Sequence, residues 1–353
     1  MNKLLTLGVQ SGASDIHFRP GDPPTYRVNG VLRPLKTEPL VPAHTRQLAL
    51  NVIIDAAVQS NIDALSEYDT SYTLQNVSRF RVNVYRQRGS LSLVMRVIPA
   101  DVPTLDGLKM PEVLKKICAY ERGLILVTGS TGSGKTTTLA AMVDHLNKTE
   151  NLHILTIEDP IEFVHKNIRS SISQREVGQD TESFNAALRA ALRQDPDVIL
   201  VGEMRDLETV DIALKAAETG HIVLSTVHTT DVPKTVGRLL SVFTAEEQAM
   251  VRLRLAESLK AVVSQRLLPT PDQRNRVVAM EIMVQTKTTQ EYIIDATKTA
   301  ALKDVIEKGR STYGMQSFDQ HLTELYRGGV ISIEVARAAA SNPADFERAL
   351  NFD

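Results

Sequence analysis

The chain has 353 residues, of which 42% are hydrophobic and 23% are charged, and its formal net charge is −2. These proportions are those of a folded globular protein and exclude an intrinsically disordered chain, while the slightly acidic balance argues against a protein that tracks the nucleic-acid backbone. The single cysteine, Cys118, excludes a disulfide framework or a thiolate zinc site within one chain, and its apolar helical surroundings predict a core residue.

The first 98 residues alternate short helical and strand patterns, which predicts a small α+β domain. The Asn29-Gly30 pair lies between two short strand-like runs and predicts a hairpin. Residues 80–85 alternate apolar with polar side chains, and residues 90–98 are expected to form the partner strand. Prolines punctuate residues 99–111, so we expect an interdomain linker there, because proline removes a donor and fixes φ.

Residues 112–353 are predicted to form the second domain. From Gly123 onward, near-continuous apolar strands alternate with amphipathic helices, which is typical of a parallel sheet covered on both faces. Beyond about residue 233 the periodicity is helical, with residues 277–284 as the one strand-like run. The tail from Ser332 is expected to form one or two helices, broken at Asn342-Pro343.

A glycine-rich segment, Gly129-x-x-x-x-Gly134-Lys135-Thr136, lies between a predicted strand and a predicted helix. In this position glycines let backbone N–H groups wrap an anion, and the helix N-terminus points its positive end at the same place. The alternative is a glycine-rich turn with an exposed lysine. We predict that the segment binds ATP phosphates, with Lys135 on the β- and γ-phosphates and Thr136 on Mg²⁺. The predicted nucleotide-binding residues of the loop are Gly129, Ser130, Thr131, Gly132, Ser133, Gly134, Lys135, Thr136 and Thr137.

Carboxylates follow two later strands, where ATP hydrolysis needs one to orient water and another to hold Mg²⁺. Glu162 follows the strand at 154–157 and is the candidate catalytic glutamate. For Glu158 and Asp159, a capping role before Pro160 is an equally good interpretation. Glu203 follows the strand at 198–201 and is expected to carry the Mg²⁺ role by itself, because glycine precedes it where aspartate is common.

Two histidines flank the strand at 222–226. His228 follows it and is predicted to sense the nucleotide, whereas His221 precedes it and is a weaker catalytic candidate; either could instead be a structural hydrogen-bonding residue. Several arginines crowd the last strands of the first domain, and we expect one or two of them to reach the triphosphate rather than solvent. They are Arg79, Arg81, Arg86, Arg88 and Arg96.

Taken in order, these motifs resemble those of the secretion-type ATPases that power type IV pili, and within them the PilT-like retraction ATPases. The resemblance covers nearly the whole chain. It is carried by the P-loop, by Ile-Glu-Asp-Pro-Ile-Glu-Phe-Val-His at 157–165, by Gln-Arg-Glu-Val-Gly at 174–178, by the run at 192–206 ending in Gly-Glu-Met-Arg-Asp, by Glu-Thr-Gly-His-Ile-Val-Leu-Ser-Thr-Val-His-Thr at 218–229, and by Gly-Ala-Ser-Asp-Ile-His-Phe at 12–18.

The resemblance implies an N-terminal PAS-like α+β domain and a C-terminal RecA-like P-loop domain with a mostly parallel sheet and a helical C-terminal region, with nucleotide lying between them. It implies a homohexamer that uses ATP and Mg²⁺ and acts on an inner-membrane pilus platform protein, with a paralogous pilus motor as a further partner. It assigns Glu162 as the catalytic glutamate, Glu203 as the Walker B glutamate, His221 and His228 as the His box, and Arg81 and Arg96 as arginines that approach the nucleotide.

Two departures from the family pattern bear on function. The four-cysteine metal motif of extension and type II secretion relatives cannot exist in a chain with one cysteine, which disfavours extension. Retraction ATPases typically carry Ala-Ile-Arg-Asn-Leu-Ile-Arg-Glu where this chain has Thr-Gln-Glu-Tyr-Ile-Ile-Asp-Ala-Thr-Lys-Thr at 289–299. The alternatives to a retraction motor are therefore an extension or secretion ATPase and a non-hydrolysing regulatory subunit, with a nucleic-acid translocase as a weaker one.

The sequence contains no apolar stretch of 18 or more residues, and the apolar run at the N-terminus is broken within ten residues by Gln10. We therefore expect a cytoplasmic protein without direct membrane insertion. Its place at the inner membrane would be peripheral and would depend on its partners.

Overall fold

The computed structural model describes residues 1–99 and 101–352. Ala100, in the predicted linker, and Asp353, the last residue of the predicted second domain, lie outside the described residues. The chain divides into two compact units. The first comprises Met1–Val102 with two short segments, Asp159–Val164 and Gly178–Asp180, and the second comprises Pro103–Glu158, His165–Val177 and the remainder of the chain from Thr181.

The first unit is built on a six-stranded antiparallel sheet of order β3-β2-β1-β6-β5-β4. Its elements are α1 Asn2–Gln10, β1 Ala13–Phe18, β2 Thr25–Val28, β3 Val31–Pro34, α2 Pro42–Val52, α3 Ala56–Ser60, a 3-10 turn Ile62–Ala64, β4 Glu67–Leu74, β5 Ser78–Gln87 and β6 Ser90–Val97. The predicted hairpin is present between β2 and β3, where Asn29 and Gly30 both have positive φ, as this turn requires.

One face of this sheet forms the core of the first unit. Ile16 and Phe18 of β1, Val82 and Val84 of β5, and Met95 of β6 are fully buried. Residues between them along each strand point to the opposite face, because successive side chains of a strand alternate. That opposite face carries Asp15, Arg81 and Arg96.

The second unit is built on a seven-stranded sheet of order β13-β12-β7-β11-β10-β8-β9, parallel except for the β12–β13 pair. Its elements as far as residue 240 are α4 Val113–Cys118, β7 Gly123–Thr128, α5 Lys135–Thr149, β8 His153–Glu158, β9 Ser171–Glu176, α6 Phe184–Ala191, β10 Val198–Val201, α7 Leu207–Glu218, β11 Ile222–Val227 and α8 Val232–Leu240. The later elements are α9 Gln248–Ser258, β12 Leu259–Pro269, β13 Arg276–Val284, α10 Lys287–Ile294, a 3-10 turn Thr299–Ala301, α11 Leu302–Lys308, α12 Arg310–Tyr313, α13 Phe318–Arg327, α14 Ile333–Ala339 and α15 Pro343–Phe352.

Apolar side chains cover both faces of this second sheet. In β7, Leu124 and Leu126 pack into the core on one face, and Ile125 and Val127 into the core on the other. The predicted doubly covered parallel sheet is therefore present. Cys118 is 4% exposed in the second of these cores, as predicted, and burial raises the pKa of its thiol to about 12.

The region beyond residue 233 differs from the prediction in one respect. It was expected to be helical with a single strand at 277–284, but residues 259–269 also form a strand, β12, between β13 and β7 in the sheet. No glycine or proline separates α9 from β12: the helix ends at Ser258 and the strand begins at Leu259. The helical periodicity of α9 therefore runs without a break into the apolar residues of β12, so the sequence does not show where the helix ends and the strand begins.

Candidate functional site

The loop between β7 and α5 requires its glycines. Gly129, Gly132 and Gly134 have φ of +149°, +77° and +91°, in the region that side chains other than glycine rarely adopt. A Cβ on Gly129 would collide with Oγ of Ser133 and would lie 2.7 Å from the backbone oxygen of Gln265. The loop is thus tightly folded against β12, and its three positive φ values are of the kind that anion-binding loops use.

Lys135 is the first residue of α5 and lies inside the loop. Its side chain is largely buried, and Nζ donates hydrogen bonds to the carbonyl oxygens of Gly129, at 3.0 Å, and Ser130, at 2.9 Å. Thr136 and Thr137 follow in the first turn of the helix, where backbone N–H groups have no partner within the helix. A cation, free N–H groups and the positive end of the helix dipole are therefore concentrated at one place.

A cavity of about 450 Å³ lies beside this loop. Ser133 Oγ is buried and has no hydrogen-bond partner among the described residues, and the Gln265 amide donates to Thr138 Oγ1 at 2.7 Å. The cavity is lined by the loop and α5 through Ser133, Gly134, Thr137 and Thr138, by residues 107–110, and by the β12–β13 hairpin and its surroundings through Gln265, Leu267, Thr270, Asn275, Arg276, Val277, Val278 and Val330. Its walls combine apolar side chains with a few polar groups, as small-molecule sites do.

Glu203 and His228 lie at the same edge of the sheet as the loop, because they follow the parallel strands β10 and β11, and β11 pairs with β7. His228 Nε2 lies 3.5 Å from Glu203 Oε2. Two further bonds join the strand ends: Thr226 Oγ1 donates to the Gly202 oxygen at 2.7 Å, and the Met204 N–H donates to the Thr226 oxygen at 3.2 Å. The structure therefore brings together the P-loop, Glu203 and His228 as predicted from the order of the strands.

Arg205 is a residue at this edge that the sequence interpretation did not single out. Its Nε lies 2.6 Å from Glu203 Oε1, so the Glu203 carboxylate is shared between Arg205 and His228. The Arg205 side chain is 71% exposed, whereas that of Glu203 is 18% exposed. The signal in the sequence that could have identified Arg205 is its position two residues after Glu203.

Glu162 belongs to the first unit, in the segment Asp159–Val164. It is exposed and lines a cavity of about 210 Å³ together with Arg81 and Arg96. Arg81 and Arg96 are directly opposite one another on β5 and β6. The candidate catalytic glutamate and the two candidate arginines therefore share one cavity.

Two other members of the predicted set, Arg86 and Glu158, have structural partners. Arg86 donates to the backbone oxygens of Ile62, Asp63, Leu65 and Gly89, so it fastens the segment before β4. Glu158 accepts hydrogen bonds from Thr156 Oγ1 at 2.7 Å and the Gln174 amide at 3.1 Å, which favours its structural role over a catalytic one.

His221 is not brought to the P-loop edge. It precedes β11, whereas His228 follows that strand, so the two histidines lie at opposite edges of the sheet, about 20 Å apart along the strand. His221 Nδ1 is 3.0 Å from the Ala216 oxygen and 3.3 Å from Thr219 Oγ1, both at the end of α7. The structure therefore places His221 at the turn between α7 and β11, and its predicted catalytic role stays a prediction.

Known proteins are similar to this chain over nearly its full length. Residues 1–350 match the model of the Type II/IV secretion system protein family. This chain belongs to that family. It is 47% identical over 346 residues to the "Type IV pilus retractation ATPase PilT" of Pseudomonas aeruginosa, covering 98% of this chain and 99% of the relative. It is 40% identical over 345 residues to the "Type IV pilus ATPase PilU" of the same organism, covering 97% and 89%.

Among solved structures, the fold matches that of "the Pilus Retraction Motor PilT and Bound ADP" with a TM-score of 0.89 and 42% identity, over 99% of both chains. These findings confirm the predicted secretion-ATPase family, the ATPase class of enzyme and the mixed α/β fold with its mostly parallel sheet and helical C-terminal region. Within the described residues, the structure has no helix with both the length and the apolar character needed to span a membrane.

Proposed function

We propose that this protein binds Mg²⁺·ATP at residues 129–137 and hydrolyses it as the homohexameric motor that retracts a type IV pilus. The observation that supports this best is the P-loop edge of the second sheet, where the buried Lys135 follows the loop after β7 and where Glu203 and His228 follow the neighbouring strands β10 and β11. The relatives include a retraction ATPase, which favours retraction over the other tasks of the family.

In this proposal each group has a separate task. Lys135 leaves the loop carbonyls to bind the β- and γ-phosphates, and the 450 Å³ cavity beside the loop accepts the base and ribose. His228 senses the γ-phosphate and relays its presence to Glu203. Glu162 orients the attacking water, and the cations Arg81 and Arg96 beside it stabilise phosphate charge.

Mg²⁺ fits the oxygen groups of this edge. The Thr136 hydroxyl, in the first turn of α5, would bind the ion directly and Glu203 would hold its water shell. The described residues contain no group of three or more His, Cys, Asp or Glu that could hold a metal by themselves. Mg²⁺ at nucleotide sites typically uses one or two protein ligands together with the substrate phosphates, and an ion held here would supply positive charge at the transferred phosphate.

The partners follow from the same proposal. The motor would act on the inner-membrane pilus platform protein, with a paralogous pilus motor as a second partner, and would lie on the cytoplasmic side of that membrane through these contacts. The 40% identity to a second pilus ATPase, together with the altered segment at 289–299, favours an accessory retraction motor as the other candidate.

Steady-state phosphate release by the purified full chain tests hydrolysis. The wild type should hydrolyse ATP and Glu162→Gln should lose at least about 100-fold in kcat, as expected for removal of a general base. Glu246→Gln is the matched control, since Glu246 is exposed and lies outside the site. A wild-type rate no higher than that of Glu162→Gln would support a non-hydrolysing regulatory subunit instead.

Deletion of the gene separates retraction from extension. Loss of twitching with an excess of surface pili is expected for a retraction motor, whereas loss of pili would identify an extension motor. Complementation with Glu162→Gln should leave the deletion phenotype unchanged, because retraction requires hydrolysis.

A further inference from the structure

Four charged residues form one row across the sheet of the first unit. Arg27 of β2 is directly opposite Asp15 of β1, Asp15 is opposite Arg96 of β6, and Arg96 is opposite Arg81 of β5. Directly opposite residues point to the same face of a sheet and lie within interaction distance. The row therefore has three cations and one carboxylate, and its far end, Arg96 and Arg81, lines the cavity that contains Glu162.

Asp15 is the buried member of this row, with a side chain that is 10% exposed. Its Oδ1 accepts a hydrogen bond from Arg96 Nε at 2.9 Å, its Oδ2 accepts one from Ser14 Oγ at 2.8 Å, and Arg27 Nε lies 3.9 Å from Oδ2. Burial acts to raise the pKa of Asp15, but the hydrogen bonds from Ser14 and Arg96 outweigh it and hold the pKa below 3.8. Asp15 is thus a fixed carboxylate at neutral pH.

Arg96 is the exposed partner in its contact with Asp15. Its side chain is 67% exposed, and an arginine with this exposure would otherwise sample many rotamers. Asp15 holds Nε only, so that the two terminal nitrogens of the guanidinium remain for another anion. The Asp15 carboxylate also offsets the repulsion between Arg96 and the directly opposite Arg81.

We propose that Asp15 is the positioning residue for Arg96: it fixes the guanidinium by Nε so that its terminal nitrogens serve the phosphates of the nucleotide beside Glu162. This inference rests on the proposed function, in which Arg96 meets the nucleotide. Arg27 contacts the same carboxylate from the opposite side, away from the Glu162 cavity, and has no such task.

A double-mutant cycle on the full chain tests the assignment, with kcat and KM for ATP measured for Asp15→Asn, Arg96→Ala and the double variant. Asp15→Asn should lower kcat about 10-fold with little change in KM, since a misplaced arginine loses transition-state contacts rather than ground-state affinity. In the Arg96→Ala background the same substitution should have no further effect, because Asp15 acts through Arg96. Arg27→Gln, which removes the other cation on Asp15, is the control and should keep the wild-type kcat.

The outcomes separate this inference from the proposed function. Full activity of Arg96→Ala would remove Arg96 from the site and overturn the positioning role of Asp15, whereas the proposed function falls only if the wild type does not hydrolyse ATP. A loss with Arg96→Ala but not with Asp15→Asn would leave the proposed function standing and overturn the positioning role, as would an equal effect of Asp15→Asn in both backgrounds. If Asp15→Asn does not fold, Asp15→Glu keeps the charge but moves it by one methylene. Its kcat should fall several-fold in the wild-type background only, and an unchanged kcat would overturn the inference.

Discussion

His228 Nε2 lies 3.5 Å from Oε2 of Glu203, which joins the ends of two neighbouring parallel strands at the P-loop edge. In the proposed function, a change at the γ-phosphate would therefore reach Glu203 through one side-chain contact. On the other side, Arg205 holds Oε1 of the same carboxylate at 2.6 Å. The Glu203 carboxylate thus has Arg205 on one oxygen and His228 on the other.

The first prediction distinguishes the two histidines that the family resemblance treats alike. His228→Ala should lower kcat for ATP by roughly 10- to 100-fold, because the contact with Glu203 is lost. His221→Ala should keep hydrolysis within about twofold of wild type, because its imidazole contacts only the end of α7 at the opposite edge of the sheet. Phosphate release by the two purified variants checks this, and equal losses would show that His221 has a role in hydrolysis.

A second prediction concerns Lys135 and nucleotide affinity. Lys135→Ala should weaken binding of a fluorescent ADP analogue by about 10- to 100-fold, since a hydrogen bond to a charged group contributes about 1.5–3 kcal/mol. Lys148→Ala is the control on the same helix: Lys148 pairs with Asp144 at 2.7 Å and lies near the other end of α5. Its affinity should be that of the wild type. Unchanged affinity of Lys135→Ala would contradict the assignment of residues 129–137 as the phosphate site.

Backbone geometry gives a third prediction at Gly129. A Cβ there would collide with Ser133 Oγ and with the backbone oxygen of Gln265 in β12, and φ is +149°. Gly129→Ala should therefore displace the loop, weaken ADP binding at least tenfold and lower the free energy of unfolding by about 1–3 kcal/mol. Gly237→Ala, on α8 with open space around the added methyl, should leave ADP binding unchanged and raise the free energy of unfolding by up to about 1 kcal/mol, because alanine favours the helix. Fluorescence titration and urea denaturation of both variants provide the measurements.

Local signals in the sequence sufficed for the residues of the P-loop edge. Gly129 to Thr136 lie between a strand and a helix, and Glu203 and His228 follow apolar strands, so the parallel topology alone places them together. The same rule places His221 at the other edge, since it precedes a parallel strand. Its predicted role in the His box came from the family resemblance.

Other features depend on cross-strand register, which a single sequence does not contain. Asp15 and Arg96 are 81 positions apart and meet because β1 pairs with β6. The alternation in β1 marks Asp15 as a residue of the outer face, yet the arginines on both sides bury it. The cavity beside the P-loop likewise combines residues from 107 to 330, and no local motif marks Gln265 as part of its wall.

Glu281 of β13 gives a fourth prediction, on stability as a function of pH. The residue is 0% exposed; its Oε1 accepts the Val232 N–H at 2.8 Å, and Oε2 has no hydrogen-bond partner among the described residues. Burial raises the pKa of Glu281 to about 7; Asp231 adds to this rise, which the Val232 N–H and the cations Lys303 and Arg266 oppose. The carboxyl group is therefore held at the first turn of α8, which begins four residues after His228.

A folded-state pKa near 7 against an ordinary value of 4.5 means that the folded protein binds more protons between these pH values. The contribution to stability is complete below about pH 4.5 and is lost as pH rises to about 7, by at most about 3 kcal/mol. Glu281→Gln carries no charge at any pH, so its free energy of unfolding should fall less than that of the wild type between pH 5 and pH 8. Urea denaturation at four pH values measures the difference, with the exposed Glu246→Gln expected to keep the wild-type slope. Identical slopes for Glu281→Gln and wild type would show that the buried carboxyl group does not titrate in this range.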